Sequence, residues 1–293
     1  MFVKKLDPIQ SPKFNHYIEP TVSDLPDILD AIKLALSRND DNSLSALVNL
    51  HGLPPALRAE AWPLLLRNHP YVKMAASSKH ASNMDSVSSS LESRIKKDVS
   101  RYCSTNTDII FSTIVKCISE YDIKYSSAMV WVADFLLNGD DIFNGISIDL
   151  FTESFCNLML IMHHEPANYS RFIGQLRSYM PELNEHFAYE GVLGIAGGDM
   201  WLQWWLQWLG IRAMPTTLLC RLWDQYFSMR VMDCSLQEVH IFNCLIIMKE
   251  NTTALLELDQ SEIRLYLSQV PQSIDMEAVV SEATSLRQNH KAD

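Results

Sequence analysis

Ile95, Asp98 and Arg101 fall at i, i+3 and i+6, a spacing that sets them close to one face of a helix. A carboxylate three residues before a guanidinium can orient it through a charge-assisted hydrogen bond. The guanidinium, planar, permanently charged and rich in donors, is suited to neutralising negative charge on an oxyanion. On its own, Asp-x-x-Arg describes a solvated ion pair on a helix equally well. No other frame for catalysis stands beside it: the chain has no G-x-S-x-G, H-E-x-x-H or phosphate-binding Walker loop. His163-His164-Glu165 invites a metal reading, but adjacent residues on a helix point in different directions, and chelation needs an i, i+3 or i, i+4 pair. Independent hydrolase or nucleotidase chemistry therefore has no support, and no metal or cofactor is expected on the chain itself.

Helices must position these residues. Leu25, Ile28, Ile32 and Leu36 repeat every three or four residues, as do Leu236, Val239, Phe242 and Ile246 behind a Ser235-x-x-Glu238 capping box. Asp259-x-x-Glu262 offers a similar start for a segment carrying Ile263, Tyr266 and Leu267. Only 9 glycines in 293 residues, with no Asn-Gly or Asp-Gly hairpin between alternating runs, argue against strands. The expected fold class is all-α. A Ser-rich stretch at about 75–90 and the glycine-rich stretch 189–199 read as loops inside one domain covering 43–293, with residues 1–42 forming an N-terminal arm and a peripheral helix. No fixed-period repeat is present, which disfavours a solenoid.

Two further signatures are spaced along these helices. Gly52 ends a short helix, and Pro54-Pro55 opens the next, on which Leu57 faces inward and Arg58 lies one turn before Trp62. That pair reads as architecture, with the guanidinium covering the indole or pairing with a carboxylate. Arg221-Leu222-Trp223-Asp224-Gln225-Tyr226-Phe227 lies on a helix from Pro215 to about Phe227 and also speaks of core. Trp201, Trp204, Trp205 and Trp208 form an aromatic stripe, for which core packing is favoured over an exposed partner groove; no basic residue is interleaved, so a platform for single strands is not expected.

The net charge of -11 argues against an extended phosphate-binding surface, so nucleic acid is not an expected partner. The six cysteines include no C-x-x-C pair and read as reduced and mostly buried. No secretory signal is visible and no apolar stretch reaches the ~20 residues a bilayer needs, so the expected location is cytoplasmic, without direct membrane insertion.

In this order, the Gly52 to Trp62 segment, Ile95-x-x-Asp98-x-x-Arg101 and Arg221 to Phe227 resemble the TBC domain, the all-α module by which GTPase-activating proteins switch off Rab-type small GTPases in membrane traffic. The resemblance runs from about His51 to the C-terminus. It implies that Arg101 is the arginine finger, oriented by Asp98, and that the partner is a GTP-bound Rab-type GTPase carrying its own GTP and Mg²⁺, through which the chain is recruited to membranes. Such a finger neutralises charge spreading onto the γ-phosphoryl oxygens and is typically worth ~10³ to 10⁵ in rate.

The chain departs from the family where Tyr-x-Gln-Gly normally supplies a second, water-orienting glutamine finger: here Tyr125-Ser126-Ser127-Ala128 stands. Ser127 is too short to span the gap a glutamine amide fills, and a misplacement of about 1 Å can cost ~10²-fold. Thr-Phe-Pro, which the family favours after the arginine, is replaced by Tyr102-Cys103-Ser104. Either the GTPase's own glutamine orients the water with Arg101 helping, or the domain binds without accelerating hydrolysis. The nearest resemblance is to a divergent fungal subgroup, the oxidant-induced cell-cycle arrest proteins of TBC type, which implies as alternative a catalytically inactive scaffold holding a GTPase or a signalling or phosphatase assembly. A purely structural role, with Asp98 and Arg101 simply paired, is the third reading. Exposure separates them, since a finger must protrude.

Overall fold

The helical periodicity is realised without a strand among the described residues. The computed structural model describes residues 26–77, 87–139, 142–143, 145–164, 166–193, 200–230 and 235–292. The N-terminal half runs through α1 (Pro26–Ser37), α2 (Asp41–His51), α3 (Pro55–Arg67), α4 (Pro70–Ser77), α5 (Ser89–Tyr102), α6 (Thr107–Tyr121), α7 (Ala128–Asn138) and α8 (Ile148–His164). The C-terminal half holds α9 (Tyr169–Tyr179), α10 (Pro181–Tyr189), the single turn α11 (Met200–Leu202), a π-helix (Gln203–Gln207), α12 (Thr216–Phe227), α13 (Leu236–Glu250), α14 (Thr252–Leu256), α15 (Gln260–Ser268) and α16 (Met276–Ala292).

Local chemistry fixes the helix ends. Gly52 closes α2 at φ 71°, a left-handed conformation that glycine adopts freely. A Cβ there would also come within 2.8 Å of Cδ of Arg221. Pro55 then takes the first position of α3, where its missing N–H costs nothing. The Asp259 capping box forms in full. At Ser235 the hydroxyl accepts the Glu238 amide. The peripheral-arm boundary placed after residue 42 falls inside α2, because Asp40 caps a helix that begins at Asp41. Residues 78–86 of the Ser-rich stretch, 194–199 of the glycine-rich one and the arm up to 25 lie outside the described residues; α4 and α5 reach into the ends of the first.

Packing is organised around two helices that are apolar on most sides. α8 lies against α3, α4, α6 and α7, while α13 lies against α9, α14, α16 and the π-helix. α12 joins the halves by touching α2, α3 and α16. Every residue of α13 from Leu236 to Met248 is buried, as expected of a central helix. Trp62, Trp223 and Phe227 meet at this junction with ring centroids 5.1 to 6.1 Å apart, and large aromatic surfaces of this kind supply much of a core's burial energy.

The tryptophan stripe departs from a plain α-helix. Across 203–207 the chain widens to a π-helix, and two of its carbonyls are taken by α13: Trp205 O by His240 Nε2 and Leu206 O by Gln237 Nε2. Trp201, Trp205 and Trp208 are buried as expected, but the wider turn leaves Trp204 half-exposed.

Candidate functional site

The first and third signatures meet at one buried carboxylate. Asp224, fully buried on α12, accepts the Trp62 indole N–H at 2.7 Å, the Leu53 amide at 3.0 Å and a bidentate contact from Arg58 at 3.1 and 3.3 Å. Arg58 also lies over the Trp62 ring, so both structural roles expected of it are present. Beside this knot Arg221 pairs with Glu277 at 2.7 Å. The motif residues Gly52, Pro54, Leu57, Arg58, Trp62, Trp223 and Asp224 thus form a scaffold, with Asp224 its polar centre and not a simple core residue. Periodicity held no sign of this convergence, because it shows which face is buried but not which distant donors a buried carboxylate collects.

The second and fourth signatures meet elsewhere, where α5 packs against α7. Ile95 and Val99 anchor α5 in the core, which turns Asp98 and Arg101 outward. Tyr125, three residues before α7, donates its hydroxyl to Asp98 Oδ2 at 2.8 Å. Burial, and then the Asp98 carboxylate, push the Tyr125 hydroxyl well above its usual range, so it remains protonated and is the donor. Asp98 therefore does not hold Arg101 by direct contact, which corrects the expectation from spacing: the partly buried phenol has taken the carboxylate oxygen. Arg101, in the last turn of α5, is exposed and makes no ion pair with a described carboxylate; its guanidinium lies 5.5 Å from the centroid of the Tyr102 ring.

Ser127 sits half-buried at the N-terminus of α7 with no side-chain capping bond, and Ala128 is buried behind it. Cys103, just past Arg101, is buried, and burial with the nearby Asp134 carboxylate pushes its thiol up to about 12. It is a packing residue, not a nucleophile.

Beyond Arg101 the surface continues as a series of rings and cations. Tyr102 packs 4.9 Å from Trp131 of α7, and Trp131 meets Trp204 of the π-helix edge-on at 6.5 Å. Arg212 lies in the corner between the two indoles, its guanidinium carbon 3.9 Å from the Trp131 centroid and 4.8 Å from that of Trp204. Arg94 lies over Tyr125 at 5.5 Å. The sequence carried no signal for Arg212, since it follows Trp204 by eight residues and Trp131 by 81; only the π-helix and the following reversal bring the three together. Of the remaining candidates, His164 stacks 4.4 Å from Tyr71, Glu165 lies outside the described residues, and no group of three metal-ligating side chains occurs among the described residues.

Comparison with known proteins bears on this arrangement. The Rab-GTPase-TBC domain model matches residues 55–256, from the first residue of α3 to the last of α14. The chain belongs to the Rab-GTPase-TBC domain family. Among curated proteins it is similar to oxidant-induced cell-cycle arrest protein 5 of Meyerozyma guilliermondii, 24% identical over 70% of this chain and 55% of that protein. It is likewise similar to the protein of the same name from Kluyveromyces lactis, 23% identical over 68% and 53%. The chain thus spans about half the length of these curated relatives. Its fold matches the crystal structure of the Ypt/Rab-GAP domain of Gyp1p with a TM-score of 0.62 and 17% identity, covering 90% of this chain and 99% of that one. The TBC match includes Arg58, Asp98, Arg101, Tyr125, Ser127, Trp131, Arg212 and Asp224. The family match and the likeness to the Gyp1p domain agree on the TBC fold. No described helix of this TBC chain is long and apolar enough to cross a membrane.

Proposed function

We propose that this TBC domain is a GTPase-activating module that presents Arg101 to the phosphates of a GTP-bound Rab-type GTPase and works without a glutamine finger of its own. The observation that carries the proposal is the state of Arg101: exposed at the end of a helix anchored by Ile95 and Val99, and unclaimed by Asp98, which is bound to Tyr125. A structural arginine in a chain of net charge -11 has many carboxylates to pair with, and Arg58, Arg221 and Arg230 do so. An outward guanidinium that pairs with no described carboxylate is what charge neutralisation in a phosphoryl-transfer transition state requires. GTP and Mg²⁺ belong to the partner, whose own glutamine orients the attacking water.

Single-turnover GTP hydrolysis by a panel of Rab-type GTPases, with the wild-type chain and Arg101→Ala, tests this. Acceleration that vanishes in the variant, by ~10³-fold or more, is the expected result. Equal acceleration by both proteins would sink the assignment. A second reading, binding without acceleration, is favoured by the short Ser127 side chain and the buried Ala128 at the start of α7; hydrolysis unaffected by a chain that nevertheless binds the GTPase would establish it.

A further inference from the structure

The corner occupied by Arg212 has the properties of a recognition site. Its backbone is in the left-handed region at φ 68°, as is Leu209 at φ 49°, a conformation uncommon for long side chains that persists only where the surroundings fix it. They do so here: Ile211 and Ala213 on either side are buried, and the Ala213 carbonyl accepts the Val270 amide at 2.8 Å. The guanidinium carbon lies against both indoles while the residue as a whole is exposed, so N–H donors remain open to a partner. No described carboxylate lies within ion-pair distance of Arg212, whereas Arg58, Arg67, Arg171, Arg221 and Arg230 are all paired. An arginine held against two rings in this way is already ordered and loses little entropy on binding.

We propose that Arg212, held by Trp131 and Trp204, is a docking residue that takes a surface carboxylate of the GTPase partner, on a face continuous with Arg101. This rests on the function proposed above. The continuity is physical: Arg101 lies over Tyr102, Tyr102 packs on Trp131, and Trp131 carries Arg212. If Arg101 reaches the nucleotide, a cation two rings away meets the partner's protein surface, not its phosphates. The donors of a guanidinium fork match a carboxylate bidentately, and an arginine set among aromatic rings is a typical anchor of an interface. The acidic balance of the chain disfavours nucleic acid or an anionic membrane as the occupant.

The test is titration of the full chain with Rab-type GTPases loaded with a non-hydrolysable GTP analogue, using wild type, Arg212→Ala and Arg101→Ala. Arg212→Ala is expected to weaken Kd by about tenfold or more, the usual consequence of losing a charge-assisted hydrogen bond. In turnover assays with an accelerated GTPase the same variant raises KM and leaves kcat within about twofold, while Arg101→Ala removes kcat. Lysine substitution across the partner's exposed carboxylates should find one position that restores binding to Arg212→Glu. Arg212→Gln, which keeps much of the stacked length, carries the comparison if thermal melting shows Arg212→Ala to be unstable. Unchanged Kd for the arginine variants beside a binding wild type overturns the docking role alone, as does a loss confined to kcat. A wild type that binds no member of the panel removes both this inference and the function beneath it.

Discussion

The Asp98 carboxylate accepts the Tyr125 hydroxyl at 2.8 Å, and that bond ties the end of α5 to the chain entering α7. Spacing alone assigned Asp98 to Arg101. In the fold the carboxylate instead ties together the two helix ends that carry Arg101 and Ser127, so any influence of Asp98 on Arg101 runs through the frame.

Replacing Tyr125 with Phe removes this tie while keeping the ring beneath Arg94. Stability should fall by about 0.5–1.5 kcal/mol, the net worth of one hydrogen bond, read by denaturant unfolding. GAP activity should drop more than stability does, because the geometry of Arg101 loosens. Full activity in a destabilised variant would show that the bond serves the fold alone.

Ser127→Gln supplies at this position the amide that the family resemblance implies for orienting water. With the usual pose retained, single-turnover hydrolysis should rise by roughly ten- to a hundredfold. No gain from a folded, binding variant would mean that the N-terminus of α7 meets the GTPase differently, with buried Ala128 the first obstacle to examine.

Asp224→Ala takes the acceptor from the Trp62 indole and the Leu53 amide and removes the bidentate partner of Arg58. Breaking a buried charged knot by one partner typically costs ~3–5 kcal/mol, which for a chain of this size lowers the melting temperature by roughly 10 °C. Arg101→Ala should leave the same melt within about 2 °C, since surface changes are usually worth under ~0.5 kcal/mol. Calorimetry on the two variants checks the contrast.

Acid should destabilise the chain through its buried histidines. His240 Nε2 faces the Trp205 carbonyl, which can only accept, so Nδ1 accepts the Tyr226 hydroxyl at 2.7 Å and the ring is neutral. Burial lowers its pKa to about 4 from 6.5, and burial lowers that of His69 to about 3. Between pH 6.5 and about 4 the unfolded chain binds the proton and the folded one refuses it, so stability present above pH 6.5 is lost as pH falls. For His240 the loss is roughly 3 kcal/mol. His240→Gln should show a shallower decline over that window in pH-dependent unfolding, and an unchanged slope would exclude the ring as its source.

Much of the fold was legible because helices announce themselves locally. Gly52, the Pro54-Pro55 start, Ser235 and Asp259 each fix a helix end through bonds within a few residues, and all behave as their chemistry dictates. The site was legible only where it is a motif: Ile95, Asp98, Arg101 and the broken Tyr125 to Ala128 segment. What escaped was tertiary. Asp98 chose a donor 27 residues away over one at three, and Trp204 left the tryptophan stripe because His240 and Gln237 drew π-helix carbonyls toward α13. Arg212 found its place as a result. None of these choices is encoded in a period.

The knot at Asp224 also sets an order of events during synthesis. Its bond to the Leu53 amide spans 171 residues. On a ribosome adding roughly 5–20 residues per second, α3 waits on the order of ten to thirty seconds for its acceptor to be made. Until then the Trp62 indole and the Arg58 guanidinium have no α12 to close upon, and the nascent N-terminal half needs water or a chaperone at the surface that later becomes its junction.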